Sequence, residues 1–168
     1  MNGHTSQVDL DTMHGANMFK SQVAQDYYGA PVEYNGLQFH FHAGSEHTVD
    51  GKRMDLEMHT VHEAVNARNE FSFAAMGVMF SMNHHTANLT WAEKKIIDTF
   101  FDGLKWDDAT GKVEVDMVLY GNLMELVNMK KRWVYKGSVT TPPCARYIYW
   151  NVLSTIYPVS ESVVKKFK

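Results

Sequence analysis

A chain of 168 residues with 45% apolar and 21% charged side chains has the size and balance of one globular domain, which excludes a disordered, collagenous or coiled-coil protein. A formal net charge of −3, with no basic run longer than Lys130-Lys131-Arg132, argues against a nucleic-acid or anionic-membrane surface and points to a small or neutral partner. The single cysteine, Cys144, excludes an internal disulfide framework and a cysteine-type zinc finger, so any metal site must be built from histidines and carboxylates.

Along the chain, runs rich in β-branched and aromatic residues predict strands at Thr5–Leu10, Leu37–His42, Asp55–His62, Phe71–Met82, Val113–Leu119, Trp133–Tyr135 and Arg146–Leu153. The fold is therefore expected to be mainly β. Asn66–Glu70 reads as a turn or hairpin between two of these runs. Ile96, Ile97, Phe100, Phe101 and Leu104 recur at a helical period and predict one short helix over Trp91–Leu104. Met117–Lys131 fits either state, because Leu119, Leu123, Leu126 and Val127 suit a helix while Val113–Leu119 alternates. The longest nearly apolar stretch, Phe71 to Phe80, is about half the ~20 residues of a membrane span. No charged start leading into an apolar stretch opens the sequence, so neither a leader nor a span is expected.

Nine histidines are the compositional oddity, and their placement carries the chemistry. In Gln38-Phe39-His40-Phe41-His42 strict alternation puts Gln38, His40 and His42 on one strand face and the two phenylalanines on the other. In Leu56–His62 the same rule puts Glu57, His59 and Val61 on one face and His62 on the opposite one. Pairing the two strands would bring three imidazoles together. Three neutral imidazoles with a fourth position left open is the arrangement of a catalytic zinc site. Gln38 and Glu57 each sit two residues before a ligand candidate, where they can accept its second ring N–H. A rival reading takes His40-Phe41-His42 with Glu46 as a cupin-type iron or manganese core. The glycines that motif needs on either side fall here at Tyr34 and Arg53, and no second Gly/Pro-rich histidine motif follows.

The segments QFHFH (Gln38–His42), SEHTVDGK (Ser45–Lys52), LEMHTVH (Leu56–His62) and GSVTTPPC (Gly137–Cys144) together resemble an α-type carbonic anhydrase. The likeness runs in order from Asn2-Gly3-His4 through Trp150-Asn151-Val152-Leu153. It implies a large, twisted, mostly antiparallel sheet with a central zinc cleft and few short helices, and the reversible hydration of CO2 to bicarbonate and a proton. By that resemblance His40, His42 and His59 match the zinc ligands, and Gln38 and Glu57 their hydrogen-bond partners. Thr140 matches the hydroxyl that orients the activated water, Glu46 the acceptor of that hydroxyl's proton, and His4 the proton shuttle. Val61, Val139, Thr141 and Trp150 match pocket positions, whereas His14, His47, His62, His84 and His85 receive no metal role. Met54, Met58, Met76 and Met79 read as core filling.

The sequence also departs from that family. The Gly44-Ser45-Glu46 segment is short, Ala43 replaces a bulky residue after the second ligand, and Arg146 stands where glutamate is usual. The resemblance further implies N-terminal and C-terminal segments beyond those present, so residues 1–168 are read as one domain lacking them, with other chains as partners able to complete its sheet. Cys144 matches a cysteine that secreted and bacterial relatives bond to one near the domain start, which leans toward an extracytoplasmic setting. Its alternative is a small buried apolar residue. Three functions follow in order: a zinc enzyme acting on CO2 and bicarbonate, a non-catalytic relative serving as a structural or binding subunit, and a cupin-type oxygenase.

Overall fold

The computed structural model describes residues 7–10, 18–25, 27–66, 70–104 and 118–168, with only the backbone course for 18–25. Among the described residues, nine strands and three helices follow in the order β1 (Gln7–Asp9), β2 (Met18–Gln25), β3 (Pro31–Ala43), β4 (Thr48–Val49), β5 (Lys52–Arg53), β6 (Leu56–Ala64), β7 (Phe73–Ser81), α1 (Trp91–Asp102), α2 (Tyr120–Leu126), β8 (Arg132–Ser138), β9 (Arg146–Pro158) and α3 (Glu161–Lys166). Seven strands form one sheet in the order β1-β3-β6-β7-β9-β8, with β2 also paired to β3, and β4-β5 is a separate hairpin. Every pairing is antiparallel except β7 with β9. The expected mainly β, mostly antiparallel sheet is what forms.

Period-two alternation explains the layering. Phe39, Phe41, Leu56, Met58, Met76, Val78 and Phe80 point to one face, where they pack with Ile97, Phe100 and Phe101 of α1, Leu123 of α2 and Val163 and Val164 of α3. The opposite face carries a smaller apolar cluster of Met54, Ala75, Met79, Ile148, Trp150, Val152 and Ile156, and the functional cleft. All four methionines assigned to core filling are buried. Helix α1 opens at Thr90, whose hydroxyl accepts from the Glu93 amide while Glu93 accepts from the Thr90 amide, a reciprocal cap that sets its first turn. The ambiguous stretch Met117–Lys131 resolves as helix over Tyr120–Leu126, α2; residues 113–117 of the expected Val113–Leu119 strand lie outside the described residues, and Val118 and Leu119 belong to no strand. Among the described residues no helix is long and apolar enough to cross a membrane.

β3 contains one irregularity with a large effect. Its buried residues are Val32, Tyr34 and Gly36 in the first half but Phe39 and Phe41 in the second. The change of parity occurs where the β3–β6 register shifts, with Gly36 opposite His62 and Gln38 opposite Val61, leaving Leu37 as the extra residue of a bulge.

His62 lies on the core face opposite Ala74. Burial pushes its pKa from 6.5 down to about 4, against hydrogen bonding with the backbone of Thr60 and Ala74. Between those two values the unfolded chain binds a proton that the folded one refuses, so stability present above pH 6.5 is lost as pH falls toward 4. A shift of that size corresponds to roughly 3 kcal/mol. Urea unfolding at pH 7 and pH 4.5 should therefore show a larger loss for the parent protein than for His62→Leu. Equal losses would show that another group controls the acid limb.

Candidate metal centre

The antiparallel register of β3 and β6 sets His40 directly opposite His59 and His42 opposite Glu57. Because side chains two apart share a face, three imidazoles converge, with ring centroids 5.0 Å apart for His40 and His42, 5.2 Å for His40 and His59, and 4.6 Å for His42 and His59. One ring nitrogen from each lies within 4.8 Å of the other two. The neighbouring groups select which nitrogen is free. The Gln38 carboxamide oxygen accepts from His40 Nδ1 at 2.9 Å, leaving Nε2 with its lone pair. Glu57 Oε1 accepts from His59 Nε2 at 3.0 Å, leaving Nδ1. His42 Nε2 is buried with no hydrogen-bond partner among the described residues. A buried imidazole nitrogen left orphaned beside two others costs stability unless something binds it, and a divalent cation is what such a donor set fits.

Electrostatics keep these rings in their ligand form. Burial, then the positive charge His59 and His42 would carry if protonated, push the His40 pKa from 6.5 down to about 3. Burial and the same kind of repulsion from His59 lower that of His42 as well. Glu57 is fully buried; burial alone would raise its pKa, but hydrogen bonds from His47 and His59 outweigh it and hold the carboxyl well below the usual range. It is therefore an anion that accepts from His59, from His47 Nδ1 at 2.6 Å and from the His47 amide at 2.9 Å. The Tyr135 hydroxyl completes the array by donating to His47 Nε2 at 2.7 Å. His47, Glu57 and His59 also lie close enough to hold a cation, but their facing atoms already satisfy one another. Trp150 packs edge-on against both His59 and His47, at 4.8 and 5.0 Å, and donates from its indole to the Ser138 carbonyl.

His47 and Tyr135 were not legible as site residues. His47 follows Glu46 in a turn, where no periodicity says which way a side chain points, and Tyr135 joins it across a long sequence separation. The turn itself is anchored: Gly44 takes a φ of +80°, the Met54 amide donates to the buried Ser45 hydroxyl at 2.8 Å, and Arg53 donates to the Ser45 carbonyl. Glu46 thereby sits beside the histidines, 3.6 Å from His42 Nδ1 and 3.9 Å from His59 Nδ1.

A cavity of about 750 Å³ opens over the three histidines, lined also by Gln38, Val61, Val139, Thr140, Thr141 and Trp150, with Gln7, Glu70 and Arg146 contributing polar groups. Every pocket position expected from sequence is thus in the cleft wall. Thr140 is exposed, and Glu46 Oε2 is buried without a partner among the described residues, so the expected Thr140–Glu46 hydrogen bond is not formed here. His4 lies outside the described residues. Cys144 is exposed, with a free thiol and a φ of +56° in the turn after Thr140-Thr141, which corrects the alternative of a buried apolar residue. The open sheet likewise removes the cupin reading, whose core is a closed pair of sheets.

The family model for eukaryotic-type carbonic anhydrase matches residues 1–168. Alpha carbonic anhydrase 4 of Arabidopsis thaliana is 30% identical over 129 residues, covering 77% of this chain and 43% of the relative. A carbonic anhydrase of Nostoc sp. is 31% identical over 138 residues, covering 82% of this chain and 47% of the relative. The α-carbonic anhydrase of Thermovibrio ammonificans, solved with the inhibitor sulfanilamide, superposes with a TM-score of 0.65 at 26% identity, over 99% of this chain and 62% of that one. The chain spans about half the length of the curated relatives it matches. With a whole-chain family match, the shared sheet and three convergent imidazoles at its centre, the chain belongs to the eukaryotic-type carbonic anhydrase family.

Proposed function

We propose that this protein binds zinc through His40, His42 and His59 and catalyses the reversible hydration of CO2 to bicarbonate and a proton. The observation that carries the proposal is the convergence of three ring nitrogens, two selected by Gln38 and Glu57 and the third, in His42, without a hydrogen-bond partner among the described residues, at the base of an open cleft. Zinc, when bound, supplies Lewis-acid activation of water. The remaining work falls to the chain. Val61, Val139 and Trp150 offer an apolar wall suited to CO2, while Thr140 and Thr141 offer hydroxyls beside it. A hydroxyl that gives its proton to a fixed carboxylate can only accept from the reacting water, which aims that water's lone pair at carbon. Glu46 Oε2, buried and with no hydrogen-bond partner among the described residues, is the acceptor such a role for Thr140 requires. His4, by family likeness, would carry the released proton to buffer.

A second reading, a non-catalytic binding or structural member of the family, draws on one observation: Thr140 and Glu46 are not hydrogen-bonded. Metal analysis and stopped-flow CO2 hydration on the purified chain separate the two. Stoichiometric zinc with hydration far above the buffer rate is expected, and Thr140→Ala should keep the zinc while losing most of the rate. Zinc-loaded protein without hydration would favour the second reading, and protein that takes up no zinc would refute both the ligand assignment and the activity.

A further inference from the structure

Gly77 lies at the centre of β7, directly opposite His59 in the β6–β7 register. Its backbone φ is not in the left-handed region, so nothing in the local conformation calls for glycine. A glycine inside a strand weakens the strand and packs no side chain, so a reason must lie in its surroundings. A Cβ placed there would come within 2.6 Å of Glu57 Oε1, with no other atom closer than 3.7 Å. The space a side chain would take is occupied by the carboxylate oxygen that accepts from both His59 Nε2 and His47 Nδ1.

Resting on the zinc reading above, we propose that Gly77 is a positioning residue for the metal centre, its missing side chain being what admits the Glu57 carboxylate to its place between His59 and His47. An added methyl group would meet only the far end of a side chain, which can swing aside at little steric cost. That movement abandons the hydrogen bond that keeps His59 protonated on Nε2 and leaves its Nδ1 free. The fold therefore tolerates the change better than the site does.

A double-mutant cycle tests this, using the full chain with Gly77→Ala, Glu57→Ala and the pair. Zinc is titrated against a chromophoric chelator, and nitrogen-15 NMR reads the His59 tautomer in metal-free protein. Gly77→Ala should weaken zinc binding by about 10–100-fold, the range for lost partners of metal-bound histidines. Where Glu57 is already alanine, the same change should have an effect within about twofold, because the obstructing carboxylate is gone. In metal-free protein, Gly77→Ala should convert His59 from a single Nε2-protonated form to a mixture. Equal losses in both backgrounds, no loss in the parent background, or an unchanged tautomer would overturn the proposal. A parent chain that binds no zinc, yet whose His59 tautomer responds to Gly77→Ala, would refute the zinc reading and uphold the positioning role. Should Gly77→Ala alone fail to fold, recovery of folding in the pair supports the proposal and an equally unfolded pair refutes it.

Discussion

His59→Ala is expected to abolish zinc binding and, with it, all CO2 hydration. His59 is buried, lies opposite His40 and has its ring orientation imposed from two sides, by Glu57 on Nε2 and by the edge-on contact with Trp150. Truncation leaves His40 and His42 as adjacent rings on one strand, a bidentate pair that cannot enclose a tetrahedral ion. It also strips Glu57 of one of its two imidazole partners, so a buried carboxylate keeps less of the hydrogen bonding that offsets its desolvation. The variant should therefore be somewhat less stable as well as metal-free. Metal content after dialysis against zinc, with hydration rate and a urea curve on the same sample, measures all three consequences. Full zinc occupancy would mean that the ion is held elsewhere.

Phe41→Ala should be the most damaging change to the fold itself, by about 3–5 kcal/mol. Phe41 is 1% exposed and its ring meets those of Phe39, Phe100, Phe101 and Phe167 at centroid separations of 4.8 to 6.2 Å. Those partners come from the same strand, from α1 and from the residue following α3, so the cavity left behind cannot close by the shift of one element alone. Equilibrium urea unfolding gives the number. A loss below about 1 kcal/mol would be outside the range for a truncated buried phenylalanine and would show that the helices do not pack on this face as described. Because the ring points away from the cleft, zinc affinity of the folded fraction should be little changed, a separation that His59→Ala does not show.

The alternation in Gln38–His42 and Leu56–His62 was enough to place three imidazoles and their two acceptors, because both segments are strands and side-chain direction there depends only on odd or even position. The period of Ile97, Phe100 and Phe101 likewise read α1 to within two residues. Where geometry comes from distant pairing, local pattern was silent. The β7–β9 parallel contact, the Tyr135–His47 hydrogen bond and the juxtaposition of Gly77 with Glu57 all join residues whose proximity only the assembled sheet creates. Helix α3, at six residues, is too short to display a period. The two-residue strands β4 and β5 flank Asp50-Gly51, a turn dipeptide present in the sequence but not read as a hairpin. The Thr140–Glu46 partnership came from family likeness alone, and it is the part of the site whose hydrogen bond is not formed.

The bulge at Leu37 decides which face of the sheet the metal-site motif presents. Were Leu37 taken into the ladder opposite Val61, with β3 paired in continuous register from Tyr34 onward, every identity in Gln38-Phe39-His40-Phe41-His42 would be preserved and each side chain would exchange sides of the sheet. Imidazoles would then be thrust among Phe100 and Phe101, and phenyl rings would line the cleft. Deleting Leu37 would have no such effect, because Gly36 and Gln38 would follow one another while still facing His62 and Val61. A comparison of such chains by matched motifs alone would miss the difference. Whether an extra residue is looped out between Tyr34 and His40 says as much about metal binding as finding the histidines does.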